Sequence, residues 1–264
     1  MDVTERNTGK RLQLLLTNDD GLEAPGLRYL VEVAREFGDV TVVAPDKPMS
    51  GMGHAITVRE PLRLEKVREF PGLVEYSCTG TPVDAVKLGQ KVILGHHPDI
   101  VLSGINHGSN ASVNVIYSGT MAAVIEACID GIPAVGFSLL DYAYDADFSA
   151  CGEWVRKVVA YVIDQGLKRG VCLNVNIPAV PAGKIKGIKV CRQADAYWEE
   201  QFEERQDPHR QMYYWLSGSF REVADGEDSD LWALANHYVS VVPVQYDLTA
   251  HAAIPLLKNM ESVS

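Results

Sequence analysis

The stretch Leu12-Gln13-Leu14-Leu15-Leu16-Thr17-Asn18-Asp19-Asp20-Gly21 decides how the rest of the chain is read. Residues 12–16 are largely apolar and read as a strand. Residues 25–37 follow as a helix: Pro25 suits the first turn, Leu27, Leu30, Val31, Ala34 and Phe37 fall at helical spacing, and Gly38 supplies the stop. Residues 40–44 are a short β-branched run suited to a strand buried on both faces. Strand, helix and strand in that order imply a parallel pair with a right-handed crossover, and so an α/β fold. Asp19 and Asp20 then stand at the carboxyl end of the first strand, where open α/β sheets bind ligands. Two adjacent carboxylates repel a bare phosphate but suit a divalent cation, because Mg²⁺ takes one or two carboxylates and keeps positions for water and phosphate oxygens. Asn, Asp and Gly also build ordinary turns, so the loop alone does not decide between the two readings.

At 264 residues the chain can bury a substantial core as one large α/β domain with an appendage. Hydrophobic residues at 47% and charged residues at 22% are ordinary for a globular protein. The formal net charge of −11 argues against binding long nucleic acid, which requires Lys and Arg to neutralise many phosphates. The five cysteines are widely spaced, with no CxxC pair, so neither a disulfide framework nor a zinc knuckle is expected. The opening residues 1–11 are polar, without the apolar core of a signal peptide, and no apolar run reaches the ~18 residues a bilayer requires. The expected setting is cytoplasmic, with no membrane partner.

Two further loops leave the carboxyl ends of strands on the rim that carries Asp19 and Asp20. Residues 45–54 follow the second strand and contain Ser50, Gly51 and Gly53; residues 99–103 read as a buried strand running directly into a loop, 104–110, that contains Asn106 and Asn110. Tyr117, Ser118, Gly119 and Thr120 precede an apolar helix over 121–129, whose N-terminal N–H groups and two hydroxyls form a ready anion site. The same hydroxyls are equally suited to capping the helix. Strands over 62–67 and 74–78, a helix opened by 79–82, a strand over 134–139, a helix over 149–165 and a strand over 171–177 complete the pattern. Beyond Lys184 it changes. Residues 185–191, 213–216 and 238–244 read as strands, whereas 195–211 is dense in charge and aromatics without a clear period and reads as a solvated excursion, the alternative being an arm or a partner surface.

The side chains gathered on the rim are oxygen donors: Asp19, Asp20, Ser50 and Asn106. That set suits Mg²⁺, Mn²⁺ or Ca²⁺ and disfavours zinc, whose sites prefer Cys and His. Placing the start of the 121–129 helix on the same crevice would set a phosphate between the metal and backbone N–H groups. His54 and His107 lie in the same loops, as leaving-group polarisers or as structural histidines.

With these residues in hand, the sequence resembles the SurE family, the survival protein E nucleotidases, over about residues 14–178, with a weaker echo in 238–249. The motifs agree in order: TNDDG at 17–21, APG at 24–26, VVAP at 42–45 followed by SG at 50–51, TGTPVDAVKLG at 79–89, SGIN at 103–106, GSN at 108–110, YSGT at 117–120 and NVNIP at 174–178. The resemblance implies metal ligation by Asp19, Asp20, Ser50 and Asn106, with catalytic roles for Asp19, Asp20 and Asn106. It implies phosphate contacts from Ser50, Gly51, Asn110, Ser118, Gly119 and Thr120. One divalent ion per subunit, Mg²⁺ or Mn²⁺, is implied, as is hydrolysis of nucleoside 5′- and 3′-monophosphates, with short polyphosphate a substrate in some members. The implied fold is a Rossmann-like three-layer parallel sheet over residues 1–183. Residues 184–264 would form a C-terminal extension exchanged between subunits of a dimer or tetramer, not an autonomous domain. Two departures bear on substrate preference: Met49 stands where the family often has Gln, and the Asn114 region lacks an acidic residue many members carry.

Other readings make distinct demands. A nicotinamide dehydrogenase requires GxGxxG after its first strand, where this chain has NDDG. A calcium-binding module requires a twelve-residue loop ending in Glu, which is absent. A non-enzymatic stress or assembly protein with a vestigial metal site remains, distinguished by a lack of phosphate release. Within the nucleotidase reading, Gly119→Val is expected to crowd the phosphate-binding N–H groups and spare metal affinity.

Overall fold

The computed structural model describes residues 11–223 and 226–262; the polar opening stretch and part of the acidic 225–230 loop lie outside them. The quoted stretch forms β1 (Leu12–Thr17), followed by α1 (Pro25–Ala34) and β2 (Gly38–Pro45). Leu14, Leu15 and Leu16 are all buried because helices cover both faces of this strand. Further along come β3 (Leu64–Phe70), β4 (Leu73–Cys78), α2 (Pro82–Leu88), β5 (Ile100–His107), α3 (Asn114–Tyr117), α4 (Gly119–Ile129), β6 (Ala134–Leu139), α5 (Gly152–Gln165) and β7 (Val171–Ile177). The chain ends with β8 (Gly187–Val190), β9 (Ala196–Gln206), β10 (Met212–Glu222), α6 (Asp230–Ala235), β11 (Tyr238–Gln245) and α7 (Ile254–Leu257).

Nine strands form one sheet in the order β3-β4-β2-β1-β5-β6-β7-β11-β8. β4, β2, β1, β5, β6 and β7 run parallel, β3 and β11 run antiparallel to their inner neighbours, and β8 is parallel to β11. The expected all-parallel sheet is therefore mixed. α1 and α5 bury one apolar stripe against one face, whereas α2 and α4 bury theirs against the other. Each fully buried aliphatic side chain contributes about 1.5–3 kcal/mol, so this double cover holds the sheet's rim rigidly. β8 and β11 join the same sheet, which runs on past residue 183 without a break.

Three local outcomes differ from the sequence reading. β5 does not stop at Ser103: its pairing with β6 shifts register between Ser103 and Asn106 and then resumes to His107. Gly104 makes the shift feasible, because its φ is +119° and a Cβ there would lie 2.3 Å from the Phe137 carbonyl oxygen. Residues 195–211 are not an irregular excursion: β9 and β10 form a long antiparallel hairpin apart from the sheet. α6 appears where no helix was expected, capped by the Ser229 side chain on the Trp232 N–H. Among the described residues no helix is long and apolar enough to cross a membrane, and all five cysteines are free and buried.

Candidate active site

The acidic loop is shaped by its own polar groups. Asn18 is buried and donates from Nδ2 to the Gly21 carbonyl at 2.9 Å, closing a turn that requires the +100° φ of Gly21. Met49 N–H donates to the Asp19 carbonyl at 2.7 Å, which draws the loop bearing Ser50 and Gly51 over the end of β1. Gly53 N–H donates to the Tyr117 carbonyl, tying that loop to the start of α4 as well.

Asp19, Ser50, Gly51, Asn106, Asn110 and Ser118 line a single cleft of about 190 Å³. His107, Ser109, Asn114, Tyr117, Tyr142 and Trp198 complete its wall. Asp20 faces an adjoining cleft of about 610 Å³ that shares His107 and Tyr142 with the first. Its Oδ2 accepts the His107 N–H at 3.2 Å, so β5 and the acidic loop are joined directly. Asn106 donates from Nδ2 to the Gly108 carbonyl at 2.9 Å, so its amide oxygen is the atom it has to offer a cation.

Gly119 and Thr120 lie behind Asp19. The Thr120 hydroxyl donates to Asp19 Oδ1 at 2.5 Å, and Thr120 is fully buried. A Cβ on Gly119 would come within 2.7 Å of Asp19 Cβ and 2.9 Å of its Oδ2. Gly119 is therefore required by the approach of the carboxylate, and a branched side chain there would press on Asp19, a residue of the implied metal set, as well as on the N–H groups. This corrects the expectation that Gly119→Val spares metal affinity. Ser118 is the N-cap of α4, its Oγ accepting the Met121 N–H at 3.0 Å. The capping role and a place on the cleft wall are thus both met.

Burial pushes Asp19 up to about 6, with the Asp20 charge adding to the rise and the Thr120 hydrogen bond opposing it. Asp20 is also raised, first by burial, against the opposing effect of the His107 N–H. Among the described residues neither carboxylate has a Lys or Arg ion-pair partner. A buried carboxylate beside a half-buried one is costly unless a cation joins them. The amide oxygen of Asn106 and the Ser50 hydroxyl complete an all-oxygen donor set of the kind Mg²⁺ and Mn²⁺ accept. The residues present thus fit the implied divalent ion.

Other contacts position this rim. Asn110 N–H donates to Asn176 Oδ1 at 2.8 Å, its Nδ2 to Ser138 Oγ at 2.9 Å, and its carbonyl accepts Asn174 Nδ2 at 2.8 Å. The Asn residues of NVNIP therefore hold the loop after β5. His54 turns away from the cleft: its Nε2 lies 3.0 Å from Glu126 Oε2, and Glu126 also pairs with Lys87. His54 pins the Ser50 loop to α4 and takes no place on the cleft wall. His107 does line the cleft, with Nδ1 held 2.8 Å from the Ala143 carbonyl.

Trp198 and Asp230 escaped the sequence reading. Asp230 is buried and accepts the N–H groups of Ser112 and Ala194 at 2.8 and 2.9 Å, bridging the loop after β5 to the base of the hairpin. Its position in an acidic, solvated-looking run gave no sign of this. Trp198 donates from its indole to Asn114 Oδ1 at 2.8 Å. The density of aromatics in 195–211 was the available signal, without a period to place it.

An open, mostly parallel sheet with helices on both faces places the chain in the class of doubly wound α/β proteins, with the paired carboxylates and a helix N-terminus at its carboxyl rim. Within it, residues 14–200 match the model of the family described as Survival protein SurE. The chain is 56% identical over 247 residues to the 5′-nucleotidase SurE of Cytophaga hutchinsonii, covering 93% of this chain and 95% of that one. It is 57% identical over 252 residues to the 5′-nucleotidase SurE of Christiangramia forsetii, covering 95% and 97%. The crystal structure of the SurE protein from Aquifex aeolicus is similar with a TM-score of 0.82 at 38% identity, over 94% of this chain and 99% of that one. The chain belongs to the SurE family.

Proposed function

We propose that this protein is a hydrolase, a 5′-nucleotidase that converts nucleoside 5′-monophosphates to nucleoside and inorganic phosphate with a divalent metal. The observation that carries the reading is the Asp19–Asp20 pair, Asp19 buried and Asp20 half-buried, both raised in pKa and without a Lys or Arg partner among the described residues, on a rim shared with Asn106, Ser50 and the start of α4. The names of the relatives support it.

Asp19, Asp20, Ser50 and Asn106 would hold one Mg²⁺ or Mn²⁺ per subunit. Such an ion neutralises phosphoryl oxygens and makes water a nucleophile near neutral pH. Gly51, Asn110, Ser118 and the Gly119 N–H receive the remaining phosphoryl oxygens, aided by the positive end of α4. Thr120 serves the phosphate only indirectly, because its hydroxyl fixes the orientation of Asp19. In-line attack of water on phosphorus breaks the P–O bond to the nucleoside; whichever aspartate does not hold the ion directly accepts water's proton, and a proton is delivered to the departing nucleoside oxygen, so that nucleoside and inorganic phosphate are released. The five free, buried cysteines suit a reducing, cytoplasmic setting. Residues 184–264 act as the oligomerisation region of a dimer or tetramer, its hairpin carrying exposed aromatic and aliphatic side chains among charged ones.

The test is a phosphate-release screen on EDTA-stripped protein across nucleoside 5′- and 3′-monophosphates, short polyphosphate and a set of metals. Release from AMP that depends on added Mn²⁺ or Mg²⁺ is expected. Absence of release under every metal would leave the stress or assembly protein with a vestigial site as the better account.

A further inference from the structure

The cleft that gathers Asp19, Ser50 and Ser118 is about 190 Å³. That is below the ~300–1,000 Å³ that usually encloses a whole small-molecule ligand. A phosphoryl group fits inside it, so the nucleoside extends beyond it, past its mouth or into the adjoining cleft of about 610 Å³. The mouth is aromatic. Tyr117, Tyr142 and Trp198 line the cleft, and the last two are held differently. The Tyr142 ring lies over Gly108, where a Cβ would come within 2.2 Å of it, and its hydroxyl accepts the Ser109 N–H at 3.3 Å. Tyr142 is thus committed to the loop after β5. Trp198 is held by its edges: Nε1 donates to Asn114 Oδ1 at 2.8 Å, and Phe220, its cross-strand partner, meets it at 5.3 Å with an interplanar angle of 65°. Trp198 as a whole remains 42% exposed.

Its placement is not left to a mobile arm. Two residues before it, Ala196 is buried; four before it, Ala194 donates to Asp230 Oδ1 and accepts the Ser112 hydroxyl at 2.9 Å. The base of the hairpin is therefore locked to the loop that carries Asn110, and Trp198 is fixed relative to the phosphate end of the cleft.

We propose that Trp198 is the base-contacting residue of the site, its indole stacking on the nucleobase of a substrate whose phosphate lies against Asp19 and the start of α4. This rests on the nucleotidase reading. Every base has a π face, so stacking tolerates all of them and grades them by ring area. The substrate class is nucleoside monophosphates at large, purines ahead of pyrimidines, rather than one base.

The test is steady-state kinetics with Mn²⁺ on AMP, CMP and ribose 5-phosphate, which keeps the sugar and phosphate without a base. Parent, Trp198→Ala and Trp198→Phe are compared. Trp198→Ala should raise KM for AMP about tenfold and for CMP less, in line with stacking on a single aromatic. It should leave ribose 5-phosphate hydrolysis unchanged, and Trp198→Phe should recover most of the loss. An equal loss on AMP and ribose 5-phosphate would make Trp198 a structural support acting through Asn114 and overturn the assignment. So would an unaltered KM for AMP. A parent inactive on all three substrates would overturn the nucleotidase reading and this proposal with it, and the parent's own inactivity distinguishes that result.

Discussion

At the rim of the sheet, polar side chains are buried and each answers another from a distant part of the chain: Asp19 to Thr120, Asn110 to Asn176, Asp230 to Ser112. Along β9 and β10 the reverse holds. Phe202, Tyr214, Trp215 and Leu216 are 58–67% exposed, and the two strands are joined mainly by their own backbone ladder. A two-stranded ribbon is marginal in water without a face to bury. The difference is one of where specification comes from. The rim is set by many long-range polar contacts that fail individually at high cost, whereas the arm is set locally and leaves apolar side chains exposed. Substitutions should therefore act on chemistry and folding at the rim, and on association along the arm.

The largest effect should come from Asp19→Asn, which keeps size but removes one charge from the proposed cation shell. Turnover of AMP should fall by roughly 10³-fold, about 4 kcal/mol of transition-state stabilisation. Calorimetric titration should show Mn²⁺ affinity falling with it. Parent-like turnover and metal binding would return the acidic loop to being only a turn. Gly119→Val tests the same contact from behind. Because its Cβ is directed at Asp19, both metal affinity and turnover should fall. A variant that lost activity with full Mn²⁺ affinity would mean that Asp19 yields without consequence.

Next is Asp230→Ala, which touches no rim ligand. It leaves the buried N–H groups of Ser112 and Ala194 without their acceptor. At about 1–3 kcal/mol for each group, stability should drop by about 4 kcal/mol. Urea unfolding would read this, and a loss under about 1 kcal/mol would mean that water replaces the carboxylate and the rim is less tightly coupled to the arm than the geometry implies.

Much of this contrast was legible in sequence, and its limits have physical causes. β1, α1 and β2 follow from apolar spacing and from Pro25 and Gly38, because a strand buried on both faces and a helix buried on one leave different periods. The cleft residues on three loops were legible because each follows a strand. The continuation of β5 through Gly104 was not, since a glycine-rich polar run looks like a loop when its partner strand is unseen. β9 was missed because both its faces are exposed, which removes the in-and-out alternation that marks a strand. The pairing of Thr120 with Asp19 spans more than a hundred residues, and no local pattern encodes it.

A further test concerns the acidic pair in the absence of metal. Burial raises Asp19 from the ordinary 3.8 to about 6, so the folded metal-free protein holds a proton that the unfolded chain has already lost. Its contribution is present below about pH 4 and lost as pH rises through about 6, a span corresponding to about 3 kcal/mol. Asp20 and Asp230 are raised by burial and act in the same direction. The EDTA-treated protein should therefore lose stability as pH rises through this window, and Mn²⁺ should raise Tm more at pH 7.5 than at pH 5. Secondary structure should survive chelation, because the sheet core is apolar and lies beneath the rim. An equal Mn²⁺ effect at both pH values would break the link between the buried carboxylates and the cation.

The smallest effect on folding is expected from the arm, in the double variant Phe202→Ser with Leu216→Ser. The two residues are directly opposed in the β9–β10 register and are 67% and 60% exposed. Within one subunit they pack against little, so urea unfolding under conditions that keep the chain monomeric should shift by no more than about 0.5 kcal/mol. Their apolar area lies in the region proposed to associate, and contiguous exposed apolar surface of this kind marks contact sites. Sedimentation at micromolar concentration should therefore show a shift toward smaller species, while AMP turnover per subunit is retained if Trp198, nearer the hairpin's base, keeps its place. Unchanged assembly would assign association to another surface. A fall in monomer stability of several kcal/mol would show that the arm folds back on its own subunit, and the distinction between rim and arm would then collapse.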